Sequence, residues 1–207
     1  HTPQEYAATG IEMQAASERK LRLCETVDVM RPLLAGEAVT YHGAFVHIDN
    51  AQLEPAVQSR LPILVGGNGA RLLEYAGSHA DIVGLQGLGR TGPDGHSHSV
   101  RWDNDRLRDQ LAQVQRGASR RGDGRGVECN ALVQVVAITG DRQAVYTALA
   151  ERVDGLKPDE LDASPYVLAG TVDEIATKVE RLAEEYGITY FAVRALDDFA
   201  PVIRALQ

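Results

Sequence analysis

A glycine-rich turn carries the residues of this chain that are best suited to chemistry. An apolar strand is expected to run into the turn, and a helix is expected to leave it. The turn and its flanking residues are Val65, Gly66, Gly67, Asn68, Gly69 and Arg71. Glycine lets a backbone approach a ligand closely, and the first N–H groups of a helix have no partner inside the helix. Because the helix dipole and Arg71 add positive charge, we expect the turn to bind a phosphate-bearing ligand. The alternative is a tight strand-to-helix connection that binds nothing.

Alternating strands and helices must position this turn. The predicted strands cover residues 63–65, 82–85, 131–139 and 189–194. The predicted helices cover residues 17–35, 70–78, 103–118, 141–153, 171–186 and 199–206. A hairpin is expected within residues 38–49, and loops are expected at 86–101 and 155–166. Ser17, Asp103 and Thr171 are expected to cap three of the helices, and Gly187 to end one of them.

This element order predicts an α/β fold. Strands that alternate with helices form a parallel sheet with right-handed crossovers. Four such units are half of an eight-stranded barrel, so we expect residues 1–207 to form one domain, the C-terminal half of a (β/α)₈ barrel. The N-terminal strand–helix units are then expected to be absent from this chain, or supplied by a partner. The alternative is a small open, doubly wound sheet.

The composition argues against several classes of partner. With 21 basic and 29 acidic residues in 207, the formal net charge is −8, which disfavours nucleic-acid binding. The arginines between 116 and 125 alternate with glycine and aspartate, so a solvated helix end and loop is expected there. No run of 18 apolar residues is present, and we expect no membrane span. Two distant cysteines indicate thiols in a reducing compartment, which predicts a cytoplasmic protein.

Several segments, taken in order, match one family. The opening His1-Thr2-Pro3-Gln4-Glu5-Tyr6 with Gly10 resembles the segment that follows the fourth barrel strand, and residues 18–43 resemble the next helix and a hairpin insertion. Pro62-Ile63-Leu64-Val65-Gly66-Gly67-Asn68-Gly69 resembles the fifth strand with its phosphate loop, and residues 80–83 the sixth strand. The family is the bacterial luciferase-like flavin and deazaflavin oxidoreductases. The tail, residues 156–161 and 164–175, is similar to an actinobacterial branch that uses coenzyme F-420.

The resemblance implies a luciferase-like (β/α)₈ TIM barrel with its cofactor across the C-terminal ends of the strands. It places the cofactor phosphate on Gly66, Gly67, Asn68 and Gly69. The implied enzyme transfers hydride between the deazaflavin coenzyme F-420 and an unidentified small-molecule substrate, and the family implies a homodimer. An FMN-dependent monooxygenase and a non-catalytic half-barrel that only associates with a partner chain are the alternatives. The family's catalytic residues lie largely on the first four strands, so none is assigned here.

Other residues have a structural and a functional interpretation. His1 and Glu5 could exchange protons at the barrel mouth, but a frayed surface terminus is favoured. His96 and His98 could ligate a metal, but no further ligand has useful spacing, and we expect no metal site. Trp102 could stack on a flat ring, although sealing the following helix onto the core is favoured. Asp81 stands at a strand start, where a structural role is expected.

Overall fold

A four-stranded parallel sheet carries the glycine-rich turn at one of its edges. The computed structural model of the chain describes residues 3–54, 58, 60–92, 97–153, 155–194 and 196–207. The helices are α1 (Pro3–Thr9), α2 (Ala16–Leu34), α3 (Ala70–His79), α4 (Asn104–Ala118), α5 (Arg142–Ala150), α6 (Pro158–Ala163), α7 (Val172–Tyr186) and α8 (Leu196–Ala205). The strands are β1 (Val39–His42), β2 (His47–Ala51), β3 (Leu64–Gly66), β4 (Ile82–Leu85), β5 (Leu88–Thr91), β6 (His98–Val100), β7 (Glu128–Leu132), β8 (Val135–Ile138), β9 (Val167–Gly170) and β10 (Ile188–Ala192).

The strand order shows how the sheet is wound. The main sheet has the order β10-β7-β4-β3, and every neighbouring pair is parallel. Each new strand is therefore added on the same side as the chain advances. Barrels are built in this way, whereas a doubly wound sheet reverses its direction partway. The sheet is thus part of a barrel, and no closed barrel forms among the described residues.

The predicted strand at 131–139 proved to be two strands in two sheets. β7 ends at Leu132 in the main sheet, and β8 begins at Val135 and pairs with β9. Between them Val133 N–H still donates to Ala192 O, at 2.9 Å, but Gln134 N–H donates to Tyr166 O, at 2.8 Å. Residues 131–138 are apolar except for Gln134, so the sequence shows one nearly continuous run and hides the change of partner, while the polar Glu128 and Asn130 hide the start of β7.

Both predicted loops contain regular structure. Residues 86–101 hold the antiparallel pair β5 and β6, and residues 155–166 hold α6. Strands of three or four residues are too short to show a period. The start of α6 is recognisable in the sequence, because proline is favoured as the first helical residue and Pro158 occupies that position. In the structure, Lys157 N–H also donates to Glu160 Oε2 at 3.1 Å.

Most predicted caps are confirmed and one is wrong. Asp103 Oδ1 accepts the N–H of Arg106 at 3.0 Å, and Thr171 and Glu174 form the expected capping box. Gly187 ends α7 in the left-handed conformation, with φ 65°. Ser17 is not a cap, because α2 begins at Ala16 and its first turn is closed by Glu18, which accepts the N–H of Ala15. The hairpin at 38–49 is confirmed as β1 and β2.

The two faces of the main sheet have different surroundings. One face carries Val65, Val83 and Cys129, which are buried against α3 and α4. On the other face, Leu64 is 48% exposed and Tyr190 is 42% exposed. Helices α3 and α4 cover the first face, and their first turns lie at the carboxyl edge of the sheet.

No helix in the described part of the chain combines the length and the apolarity that a membrane span requires.

Helices α3 and α4 touch through their backbones. A Cβ placed on Gly77 would lie 2.1 Å from Val114 O, and one on Gly117 would lie 1.9 Å from Glu74 O. No side chain fits between the helices at these points. Because α3 follows β3, and α4 follows the neighbouring strand β4 after the β5–β6 pair, this close contact places their N-terminal turns side by side at the carboxyl edge.

Lys178 of α7 is buried without a salt bridge among the described residues. Its Nζ donates to Leu161 O at 3.1 Å and to Val167 O at 2.7 Å, and it lies 5.6 Å from the centre of the Tyr146 ring. Burial lowers the pKa of Lys178 from 10.5 to about 7, although nearby Asp162 acts in the opposite direction. A neutral amine still has the two N–H groups that these carbonyls need.

The titration of Lys178 predicts how stability depends on pH. Between pH 7 and 10.5 the unfolded chain binds a proton at Lys178 that the folded chain does not, so stability rises with pH in this window. From pH 7 to about 8.5 we expect the free energy of unfolding to increase by about 1–2 kcal/mol from this residue. Urea unfolding of the natural protein and of Lys178→Met at both pH values measures the difference. Equal pH dependence in the two proteins would contradict the assignment.

Candidate functional site

The glycine-rich turn lies between the end of β3 and the start of α3. Gly67 N–H donates to Gly84 O at 3.4 Å, and Gly69 O accepts the N–H groups of Leu72 and Leu73, both at 3.0 Å. Within the described chain, no acceptor bonds the backbone N–H groups of residues 68–71. Four consecutive donors at a helix N-terminus are therefore available to an anion.

The glycines of the turn are required for different reasons. A Cβ on Gly67 would lie 2.5 Å from Cδ2 of the buried Leu72, so packing excludes a side chain there. A Cβ on Gly69 would meet no atom within 4 Å, and its φ of −89° suits any residue. Gly66 is intermediate, since a Cβ on it would lie 3.5 Å from Gln86 Nε2. Of these three glycines, only Gly69 stands beside open space.

A pocket of about 230 Å³ adjoins the turn. Asn68 and Ala70 line it from the turn, and α4 contributes Arg106, Asp109, Gln110 and Gln113. Gln110 is buried, and its Nε2 donates to Asn68 Oδ1 at 3.3 Å, which fixes the Asn68 side chain. This bond depends on the close packing of α3 and α4.

Two arginines near the turn line different pockets. Arg106 is half-buried in this pocket, and its guanidinium makes no ion pair within the described chain. Arg71, which the sequence nominated, is exposed and lines a different pocket of about 250 Å³ with Ser17, Lys20 and Cys24. The sequence analysis did not identify Arg106 as a site residue, and only its place in the first turn of α4 could have suggested that role.

Gly87 follows β4 at the same edge and is enclosed by aromatic rings. Its φ is 63°, and a Cβ would lie 2.6 Å from Trp102 Cδ1 and 2.7 Å from Tyr166 Cδ2. Trp102 belongs to the main core, which confirms its expected sealing of α4. Trp102 Nε1 and Tyr166 Oη are both buried without a hydrogen-bond partner in the described chain. Burial raises the pKa of Tyr166, and nearby Arg106 offsets part of that effect.

The remaining candidates are spread over the molecule. His1 and His96 lie outside the described residues, Glu5 is exposed in α1, and His98 is half-buried in β6. Over the ranges that the structure describes, no three His, Cys, Asp or Glu residues gather as a metal site. Asp81 lies at the amino edge of the sheet, where it binds Arg60 and Ile63 N–H, as its expected structural role requires.

Comparison with known proteins identifies the family. Residues 2–156 match the luciferase-like monooxygenase family. Over 72 residues the chain is 33% identical to the F420-dependent glucose-6-phosphate dehydrogenase of Microbacterium testaceum, a match covering 35% of this chain and 21% of that protein. An uncharacterized protein of Mycobacterium tuberculosis is 24% identical over 181 residues, which is 87% of this chain and 54% of that protein.

Solved structures show the same fold. An F420-dependent secondary alcohol dehydrogenase, solved with an F420-acetone adduct, has a TM-score of 0.67 at 20% identity, over 98% of this chain and 66% of the other. A long-chain alkane monooxygenase has a TM-score of 0.64 at 17% identity, over 99% and 60%. The chain thus spans about half of the mycobacterial relative and less than two thirds of these solved chains. With the barrel-type sheet and the match over most of its length, the chain belongs to the luciferase-like monooxygenase family.

Proposed function

We propose that this chain holds the phosphate of coenzyme F-420 in an enzyme that transfers hydride between this deazaflavin and a small organic substrate. The observation that carries the proposal is the row of unpaired N–H groups at residues 68–71, at the carboxyl edge of a barrel-type sheet. Free donors at a helix N-terminus favour a phosphate. The F420-dependent relative and solved structure support a deazaflavin as the molecule that carries it.

The residues around the turn fit a phosphate-bearing cofactor. Gly69 leaves the approach open, the Gln110 bond holds Asn68, and Arg106 supplies a positive charge that forms no ion pair within the described chain. Asp109 lines the same pocket and lowers this positive potential. When bound, the deazaflavin supplies the hydride chemistry, and the protein contributes orientation and electrostatics.

An FMN-dependent monooxygenase is the second candidate. FMN ends in a phosphate monoester, which free N–H groups at a helix N-terminus favour as well, and one of the similar structures is a long-chain alkane monooxygenase. The two cofactors differ in the ring and in what is attached to the phosphate, so binding has to be measured for each.

We also propose that the protein is a cytoplasmic homodimer. β3 and β10 are the edges of the main sheet, and unpaired strand edges favour association. Leu64 and Tyr190 add exposed apolar surface on these two strands. Cys24 and Cys129 are both free thiols, which supports a reducing compartment.

Titration with each cofactor tests the proposed function. The natural protein, with any residues that its gene encodes before His1, is titrated with coenzyme F-420 and with FMN. Cofactor fluorescence and the emission of Trp102, the single tryptophan of this chain, report binding. We expect micromolar affinity for coenzyme F-420 and weaker binding of FMN. The reverse order favours the monooxygenase, and binding of neither cofactor favours a non-catalytic half-barrel that only associates with a partner chain.

An arginine variant tests the contribution of α4. Arg106→Gln is expected to weaken the preferred cofactor about tenfold, as expected when a charged hydrogen bond is lost. Arg116→Gln, an exposed position at the other end of α4, is the matched control and should bind as the natural protein does. Equal affinities for the two variants would remove Arg106 from the site.

A further inference from the structure

A third pocket lies at the amino edge of the sheet, at the opposite end of the strands from the glycine-rich turn. Its volume is about 260 Å³, and three guanidinium groups line it, those of Arg31, Arg60 and Arg125. Arg31 is in the last turn of α2, Arg60 precedes β3, and Arg125 precedes β7. Three separate segments of the chain therefore bring like charges to one cavity.

Asp81 holds two of these arginines in place. It accepts Nε and Nη2 of Arg60 at 3.0 and 2.8 Å, Nη2 of Arg31 at 2.7 Å, and the N–H of Ile63 at 2.8 Å. Burial alone would raise the pKa of Asp81, but these hydrogen bonds outweigh it and lower that pKa. The carboxylate is thus ionised and fully bonded, and it neutralises only one of its two guanidinium partners.

A second pair orients the segment that carries Arg125. The side chain of Arg121 is only 4% exposed and binds Gly77 O, Ala80 O and the carboxylate of Asp123. Asp123 also accepts the N–H of Arg125 at 3.1 Å. The hydrogen bonds from Arg121 and from Arg125 N–H lower the pKa of Asp123 to about 2. Four arginines thus face two aspartates here, so two positive charges remain.

The excess charge is accompanied by unused donors. Within the described residues, Nη1 of Arg60 and the guanidinium of Arg125 have no hydrogen-bond partner, whereas both Nη atoms of Arg31 are bonded. The chain as a whole is acidic, with a formal net charge of −8, so this is not part of a generally cationic surface. Guanidinium forks match the oxygens of phosphate and carboxylate groups in pairs.

We infer that this pocket is a second anion site, which binds a small doubly charged oxyanion of the phosphate monoester class. It is separate from the glycine-rich turn, since the two sites lie at opposite edges of the sheet. Arg60 and Arg125 bind the anion, while Asp81 and Asp123 hold the arginines in position.

Inorganic phosphate is the probe for this site. The natural protein and Gly69→Asp, in which a carboxylate blocks the turn, are titrated with phosphate by isothermal calorimetry at low salt. We expect one binding event to persist in Gly69→Asp. Adding Arg125→Gln to Gly69→Asp should weaken that event about tenfold, because a charged hydrogen bond is lost.

One control variant and two contrary results complete the test of this phosphate site. Arg152→Gln, an exposed arginine after α5, should leave phosphate binding unchanged. Arg125 is exposed, so its variant should unfold at the temperature of its parent, and the thermal midpoint confirms that both are folded. Loss of all phosphate binding in Gly69→Asp, or equal affinity with and without Arg125→Gln, would overturn the inference.

Discussion

Replacing Gly69 by aspartate is expected to weaken cofactor binding about 100-fold while making the fold slightly more stable. Gly69 is the N-cap of α3, has φ −89° and ψ 137°, and provides no side-chain cap. Aspartate is among the best N-cap residues and gains a few tenths of a kcal/mol over glycine, with a further contribution of about 0.3–1 kcal/mol from the helix dipole. Its carboxylate would occupy the place proposed for the phosphate. Affinity should then fall roughly 100-fold, since bonds to a charged group are lost and a like charge is added.

The two effects of this substitution have opposite signs, which separates binding from folding. The matched control is Gly69→Asn, which has nearly the same shape and also caps a helix but carries no charge. It should lose less affinity than the aspartate variant. Fluorescence titration measures the dissociation constant, and thermal unfolding measures stability. If Gly69→Asp folds normally and binds the cofactor as the natural protein does, the turn is not the phosphate site.

Gly67 would be a poorer choice for this experiment. A Cβ there would lie 2.5 Å from the Leu72 side chain, so any substitution disturbs the packing of α3 as well as the turn. Loss of binding in such a variant would not distinguish a blocked ligand from a displaced helix.

Replacing Gly117 by alanine is expected to destabilise the protein by about 2 kcal/mol, the difference between a larger overpacking cost and a smaller gain in helix propensity. In an isolated helix this change is favourable by about 1 kcal/mol. Here the new Cβ would lie 1.9 Å from Glu74 O, a backbone atom that can move only if α3 moves. Overpacking at such contacts usually costs about 1–3 kcal/mol, and a clash with backbone belongs at the upper end. Urea unfolding measures the change.

Gly122→Ala is the matched control for Gly117→Ala. A Cβ on Gly122 meets no atom within 4 Å, so this variant should unfold like the natural protein. Separation of α3 and α4 should also weaken cofactor binding, because Gln110 and Arg106 reach the turn only through this contact. Stabilisation by Gly117→Ala would show that the two helices do not touch at this point.

The fold could be predicted from the sequence to a useful extent. β4 was placed at its observed bounds, and α3 to within one residue, because the short apolar run and the glycines mark their ends. The barrel-type winding was expected from the element order and is confirmed by the strand order. The division of residues 131–139 was not predictable from composition, since this run is apolar on both sides of Gln134 and only the strand partners differ.

The sequence by itself determined the features that neighbouring residues make. The caps at Asp103 and Thr171, the left-handed end at Gly187 and the free N–H groups after β3 all depend on residues within about four positions. Tertiary structure alone decided which arginine lies beside the turn and which arginines share the opposite pocket. Those arrangements join residues far apart in the chain, and they follow from strand order and from the close contact of α3 with α4.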